Sequence, residues 1–144
     1  SHMTTKNGLP AFLYHRDYPN VYLTQKDIRE VQLAKGAVAA GILLLEKHLG
    51  ITHSQIDRVC IAGAFGNYMS PESACTIGLL PAALRQKIFP VGNAAGEGAK
   101  IALLNKTERE YTKTLMNQVD FLELASLPEF QDCFIDELEF PDSI

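Results

Sequence analysis

The stretch RVCIAGAFGNYMSPESACTIGLLP, residues 58–81, decides the fold. Val59-Cys60-Ile61-Ala62 is a continuous apolar run too short for a helix, which reads as a strand buried on both faces. It stops at Gly63, and Gly63-Ala64-Phe65-Gly66-Asn67 forms a glycine turn. Ser70 then stands ahead of Pro71 and Glu72, an N-cap with proline at the first helical position, starting a helix that ends near Gly78. The same order recurs downstream. Ile88 to Val91 reads as a strand, Gly92-Asn93 as its turn, and Ala94 to Leu104 as a small-residue helix.

Working outward, Ala11 to His15 and Val21 to Leu23 read as a hairpin around Arg16-Asp17-Tyr18-Pro19-Asn20. Thr24, three residues before Asp27, is a variant capping box. A helix follows to about Leu49, closed by Gly50. Its stripe of Ile28, Val31, Val38, Ile42, Leu45 and Leu49 faces a nearly equally apolar side of Leu33, Ala37, Ala40 and Leu44, which predicts cover on both sides. After Thr107 the pattern predicts an amphipathic helix to about Asn117, a strand over Asp120 to Leu124, and a helix near Pro128 to Leu138. Alternating strands and helices imply an α/β domain with helices packed on a mixed, mostly parallel sheet.

At 144 residues with 47% hydrophobic and 21% charged content, the chain is sized for one domain with its own core. Ser1-His2-Met3 resembles a tag scar, leaving 4–144 as a single lobe, expected to be the C-terminal part of a longer protein. The net charge of −4 divides unevenly, +4 over residues 1–107 and −8 over 108–144. With no Lys/Arg cluster and no apolar run near the roughly 18 residues of a membrane span, neither nucleic acid nor a membrane is an expected partner. Cys60, Cys75 and Cys133 form an odd set without C-x-x-C spacing, which reads as packed, reduced thiols of a cytoplasmic protein. His15, His48 and His53 show no metal-ligand spacing, and no nucleophile elbow or P-loop occurs, so no residue is assigned a catalytic or metal-binding role.

The two glycine turns carry the candidate chemistry. Ligands of open α/β sheets bind beyond the C-terminal strand ends. Glycine there lets the backbone pass close to a sugar or phosphate, and helix N-terminal amides can meet an anion. Each turn alone also reads as a tight connection; Gly63, Ala64, Phe65, Gly66, Asn67, Gly92 and Asn93 are the ligand candidates.

TQKDIREVQLAKGAVAAGI (24–42), the 58–81 stretch, VGNAAGEGAKIALLN (91–105) and PEFQDCFIDELEFP (128–141) together resemble the C-terminal domain of ATP-dependent reductive activators of corrinoid proteins. The resemblance spans residues 10 to 141. It implies a ribonuclease-H-like lobe of the actin, sugar kinase and heat-shock ATPase superfamily, in which two lobes clasp ATP or ADP with Mg²⁺. Gly63 to Asn67 then matches the adenosine motif, with Ala64 departing from the superfamily's paired glycines, and Gly92 to Gly98 the second connecting segment. Lys35 reads as a solvated lysine, with a reach to base or ribose as the alternative. In the family, an iron–sulfur domain near the N-terminus supplies the electron that, with ATP hydrolysis, returns Co(II) corrinoid to Co(I). The cysteines here lack the plant-type cluster spacing, so the cluster and the first phosphate motif are expected in a preceding region, and this fragment alone is expected to be inactive. The implied partner is a corrinoid protein. The competing reading is an interaction module that docks the corrinoid protein or forms a homodimer, motivated by Phe130, Phe134 and Leu138 opposite Glu129, Asp132, Asp136 and Glu139. For that stripe the plainer reading is core packing beneath a solvated acidic face. A small-molecule kinase lobe lacks a recognisable base, and a helix-turn-helix lacks a basic recognition face.

Overall fold

Asn7 and Gly8 take positive φ, 51° and 78°, and fold the first strand, β1 (Met3–Lys6), back on β2 (Leu9–Leu13). Asn-Gly is the strongest short hairpin signal, because both residues tolerate the left-handed conformation that such a turn requires. β2 pairs in turn with β3 (Tyr22–Thr24), Phe12 opposite Leu23, so the hairpin expected around residues 16–20 forms as the second of two. The computed structural model describes residues 2–142; Ser1, Ser143 and Ile144 lie outside them. His2 and Met3, which resemble a tag remnant, take part in the sheet: Met3 lies opposite Phe12, and Leu13 N–H donates to His2 O at 2.8 Å.

The helix α1 (Gln25–Leu49) starts and stops where its caps dictate. Asp27 N–H donates to Thr24 Oγ1 at 3.2 Å while Thr24 N–H donates to Asp27 Oδ2 at 2.8 Å, a reciprocal capping box. The Thr24 hydroxyl and then its backbone N–H hold the Asp27 carboxyl below its ordinary value. Gly50, at φ 65°, ends the helix.

Its packing differs from the expectation of cover on both sides. Ile28, Val31, Leu33, Val38, Leu45 and Leu49 remain 41–64% exposed, and the buried positions include Lys35, Gly36, Ala39, Ala40, Gly41 and Leu44. The small residues win because they admit a neighbour closely. α6 (Phe130–Asp136) and the residues after it lie against them, with Leu138 Cδ2 and Phe134 Cε2 3.1 and 3.4 Å from where a Cβ on Gly36 would stand. Lys47 Nζ clamps the start of α6 through Glu129 Oε1 at 2.9 Å, and that ammonium is the main reason the Glu129 carboxyl sits below its usual range. The phenylalanine stripe is therefore packed inward, Phe130 and Phe134 stacking at 6.1 Å, while Asp132, Asp136 and Glu139 face solvent.

β4 (Val59–Ala62) and β5 (Ile88–Gly92) form a separate parallel pair. Among the described residues the strands thus make two small sheets, β1-β2-β3 and β4-β5, instead of one mostly parallel sheet. Nor is β4 buried on both faces. Val59 and Ile61 pack on the core cluster of Ala74, Cys75, Leu80 and Ile88, whereas Cys60 and Ala62 are exposed, because the two-stranded sheet has a helical layer on one side only among the described residues. Between these strands run α2 (Gly63–Tyr68) and α3 (Pro71–Thr76), the latter capped by Ser70 Oγ, which accepts from Ser73 N–H at 3.3 Å. α4 (Ala94–Leu104) and α5 (Lys106–Leu115) follow, joined by Asn105, whose side chain caps α5. The strand expected over Asp120 to Leu124 is absent. Leu124 opens a 3₁₀ turn and packs 3.2 Å from the Cβ position of Gly41, so the neighbouring surface is a helix, which offers no ladder for a strand to join.

Candidate functional site

The two glycine turns, 29 residues apart from Gly63 to Gly92, meet in space. β4 and β5 run parallel and end together, Ala62 pairing with Gly92 after a register shift beyond Ile61. Both strand ends turn through left-handed glycines, Gly63 at φ 72° and Gly92 at φ 60°. A side chain would be strained at either position.

The glycines then divide by role. A Cβ on Gly63 would meet nothing within 4 Å, so this backbone faces open space. Gly66 is the reverse. It is buried, and its Cβ would stand 2.2 Å from Ile61 O and 3.2 Å from Gly92 N, so its hydrogen is what lets α2 seat across both strand ends. Asn67 Oδ1 lies 3.3 Å from the Cβ position of Gly92, tying the end of α2 to the second turn. Asn93 Oδ1 accepts from Gly96 N–H at 3.0 Å as the cap of α4, and a Cβ on Gly96 would collide with that side chain. The sequence suggests a turn over residues 63–67; the structure makes it a short helix whose N-cap, Ala62, provides no side-chain acceptor. Ala64 and Phe65 are exposed on it, Phe65 at 67%. The start of α2 therefore has no capping side chain, and its first residues, Gly63 to Phe65, are exposed.

Lys35 does not belong to this cluster, and it is not solvated. It is 2% exposed, its Nζ donates to Glu139 O, and the Phe140 ring lies 5.9 Å from it. A Cβ on Gly78, at φ 73°, would stand 3.3 Å from the same Nζ. A buried ammonium needs partners, and the segment after α6 brings them, a long-range contact with no signature in the sequence. The three cysteines are likewise dispersed, Cys60 exposed, Cys75 buried and Cys133 half-buried. Among the described residues no group of three or more His, Cys, Asp or Glu side chains is placed to hold a metal ion.

The chain as a whole has counterparts among known proteins. Residues 2–144 match the family model described as the C-terminal domain of RACo, the ASKHA domain. The chain belongs to this family. It is 38% identical over 125 residues to the corrinoid activation enzyme RamQ of Eubacterium limosum, covering 87% of this chain and 21% of that protein. It is 27% identical over 124 residues to the [Co(II) methylated amine-specific corrinoid protein] reductase of Methanosarcina barkeri, covering 85% and 23% respectively. The solved structure of a reductive activator for corrinoid, iron-sulfur protein superposes with a TM-score of 0.85 at 30% identity, over 97% of this chain and 23% of that one. The fold is thus an actin-like ATPase domain, here with two small sheets, and the chain spans under a quarter of the length of the relatives it matches. No helix among the described residues is long and apolar enough to cross a membrane.

Proposed function

We propose that this RACo C-terminal domain contributes one wall of an ATP or ADP site in a reductive activator that returns Co(II) corrinoid protein to Co(I). The observation that carries the reading is the pair of positive-φ glycines at adjacent ends of parallel strands, with Gly63 open to solvent and the uncapped start of α2 beside it. That geometry suits a phosphate or ribose, which needs close backbone approach. Gly63, Ala64, Phe65 and Asn67 would line the first half of the site and Gly92 the second. Gly66 and Asn93 position them, one by seating α2 and the other by capping α4. Reduction of Co(II) corrinoid is uphill, and nucleotide hydrolysis supplies the driving force. In this reading the electron comes from an iron–sulfur cluster carried by another part of the activator; Cys60, Cys75 and Cys133 lack cluster spacing. The names of the relatives support a corrinoid protein as partner.

The test is calorimetric titration of Mg-ADP into the activator that carries this domain. Gly63→Ala and Gly92→Ala should each weaken binding roughly tenfold, the equivalent of one lost backbone hydrogen bond. Unchanged affinity in both folded variants would refute the site. The domain alone is expected to show no ATPase activity, and Mg-ATP turnover by the purified 144-residue chain would overturn the half-site reading.

A further inference from the structure

β4 and β5 are apolar on both faces and covered on one. Val59, Ile61 and Ile88 pack with Ala74, Cys75 and Leu80 in the core. The register sets Cys60 beside Phe89, which puts both on the opposite face, and Ala62 follows Cys60 there by the alternation of a strand. Cys60 and Ala62 are exposed, and Phe89 stays 45% exposed beside Arg58, whose Cζ lies 5.1 Å from the ring. Parallel strands occur almost only in sheets covered on both faces, and an isolated pair of strands is marginal at best. Among the described residues this pair has neither a second layer nor a third strand.

Its two outer edges differ. β5 carries Pro90, which has no N–H to donate, and the register slips at the same point, Ile61 pairing with Pro90 and Ala62 with Gly92, so that Val91 bulges. Proline and bulges are the devices that close a sheet edge to further pairing. β4 has neither. Val59-Cys60-Ile61-Ala62 holds no proline, glycine or charge, and among the described residues it pairs with β5 alone. β5 is therefore built as a terminal strand, and β4 as an interior one.

We propose that the sheet continues at β4: an extended apolar segment of the activator polypeptide, outside this chain, pairs with the free edge of β4, and the layer it belongs to covers Cys60, Ala62 and Phe89. The relatives have room for such a segment, since this chain accounts for only 21–23% of their length. A second copy of this chain fits less well. A four-residue edge spans about 13 Å, too little to bury the roughly 1,200 Å² of a stable interface between separate chains. A segment of the same polypeptide is held at an effective concentration near millimolar and needs no such area.

The experiment is iodoacetamide labelling of the native activator, mapped by mass spectrometry, against the same protein unfolded in urea. No nucleotide is present, so the outcome is independent of the nucleotide site. Cys60 should label at least about tenfold more slowly in the native activator than in urea, and the amides of residues 59–62 should exchange as slowly as those of α1. In the 144-residue chain Cys60 should label freely while buried Cys75 stays protected. Cys60→Lys should leave the melting temperature of the 144-residue chain unchanged and lower that of the activator, where the ammonium meets the covering layer. Free labelling of Cys60 or fast exchange over 59–62 in the folded activator, or a Cys60→Lys activator that melts like the parent, would overturn the proposal. So would protection of Cys60 that rises with the concentration of the 144-residue chain, the mark of a second copy, or protection that arises only when a corrinoid protein is added.

Discussion

Gly66→Ala adds one methyl group at the point where α2 crosses the ends of β4 and β5. The new Cβ would lie 2.2 Å from Ile61 O, 3.0 Å from Ile61 C and 3.2 Å from Gly92 N. All three are backbone atoms, so no side chain can swing aside, and α2 must lift away from the strands. Overpacking a tight interior site costs about 1–3 kcal/mol, and a wholly backbone clash belongs at the upper end. Helix propensity gives back at most about 1 kcal/mol. The net loss of about 2 kcal/mol corresponds to roughly 4–8 °C in melting temperature for a chain of this size. Thermal unfolding followed by circular dichroism at 222 nm reads it directly. Gly63→Ala is the internal control: its Cβ meets nothing, and it carries only the left-handed backbone strain of about 1–2 kcal/mol. Nucleotide affinity should separate the two further, Gly63→Ala losing binding in proportion beyond its stability. A Gly66→Ala protein melting within about 1 °C of the parent, against the roughly 4–8 °C expected, would refute the seating of α2 described above.

Three further outcomes follow from the structure. Lys35→Met keeps the buried stem but removes the donor to Glu139 O, and should cost about 1–3 kcal/mol in urea unfolding with faster hydrogen exchange over residues 137–141; unchanged exchange there would show that the lysine does not hold this segment. Asp27 has its carboxyl held below the ordinary value by Thr24, so its contribution is present above that value and is lost as pH falls through the folded pKa. The stability gap between the parent and Asp27→Asn should accordingly be widest near neutrality and close on acidification, and a gap that widens in acid would contradict the capping box. Iodoacetamide mapped by mass spectrometry should modify exposed Cys60 first and spare buried Cys75. Cys133 should react slowly because burial, then the Glu137 and Asp136 carboxylates, push its thiol up; preferential labelling of Cys133 would refute that account.

Signals legible in the chain were those carried by a few neighbouring residues. Thr24 with Asp27, Gly50, and Ser70 ahead of Pro71 each mark a helix end within three or four positions, and α1 and the start of α3 stand where those residues put them. The short apolar runs at 59–62 and 88–91 likewise became strands. The Asn7-Gly8 turn carries an equally local signal, left-handed backbone at both residues. The candidate site was legible as two glycine turns, because positive-φ positions demand glycine whatever surrounds them. Its internal division was not. Gly63 and Gly66 are the same residue type three positions apart, and only the placement of Ile61 O and Gly92 N makes one an open edge and the other a packing contact.

The sequence by itself determined where the capped helices α1 and α3 begin and which turns need glycine, since caps and left-handed backbone are properties of adjacent residues. Tertiary structure alone decided which face of α1 is covered, that residues 120–124 find no strand to pair with, and that Lys35 is buried under Glu139 and Phe140. Those outcomes depend on which remote surface arrives: small residues at 36–41 admit α6, whereas the bulkier stripe beside them offers no such close approach.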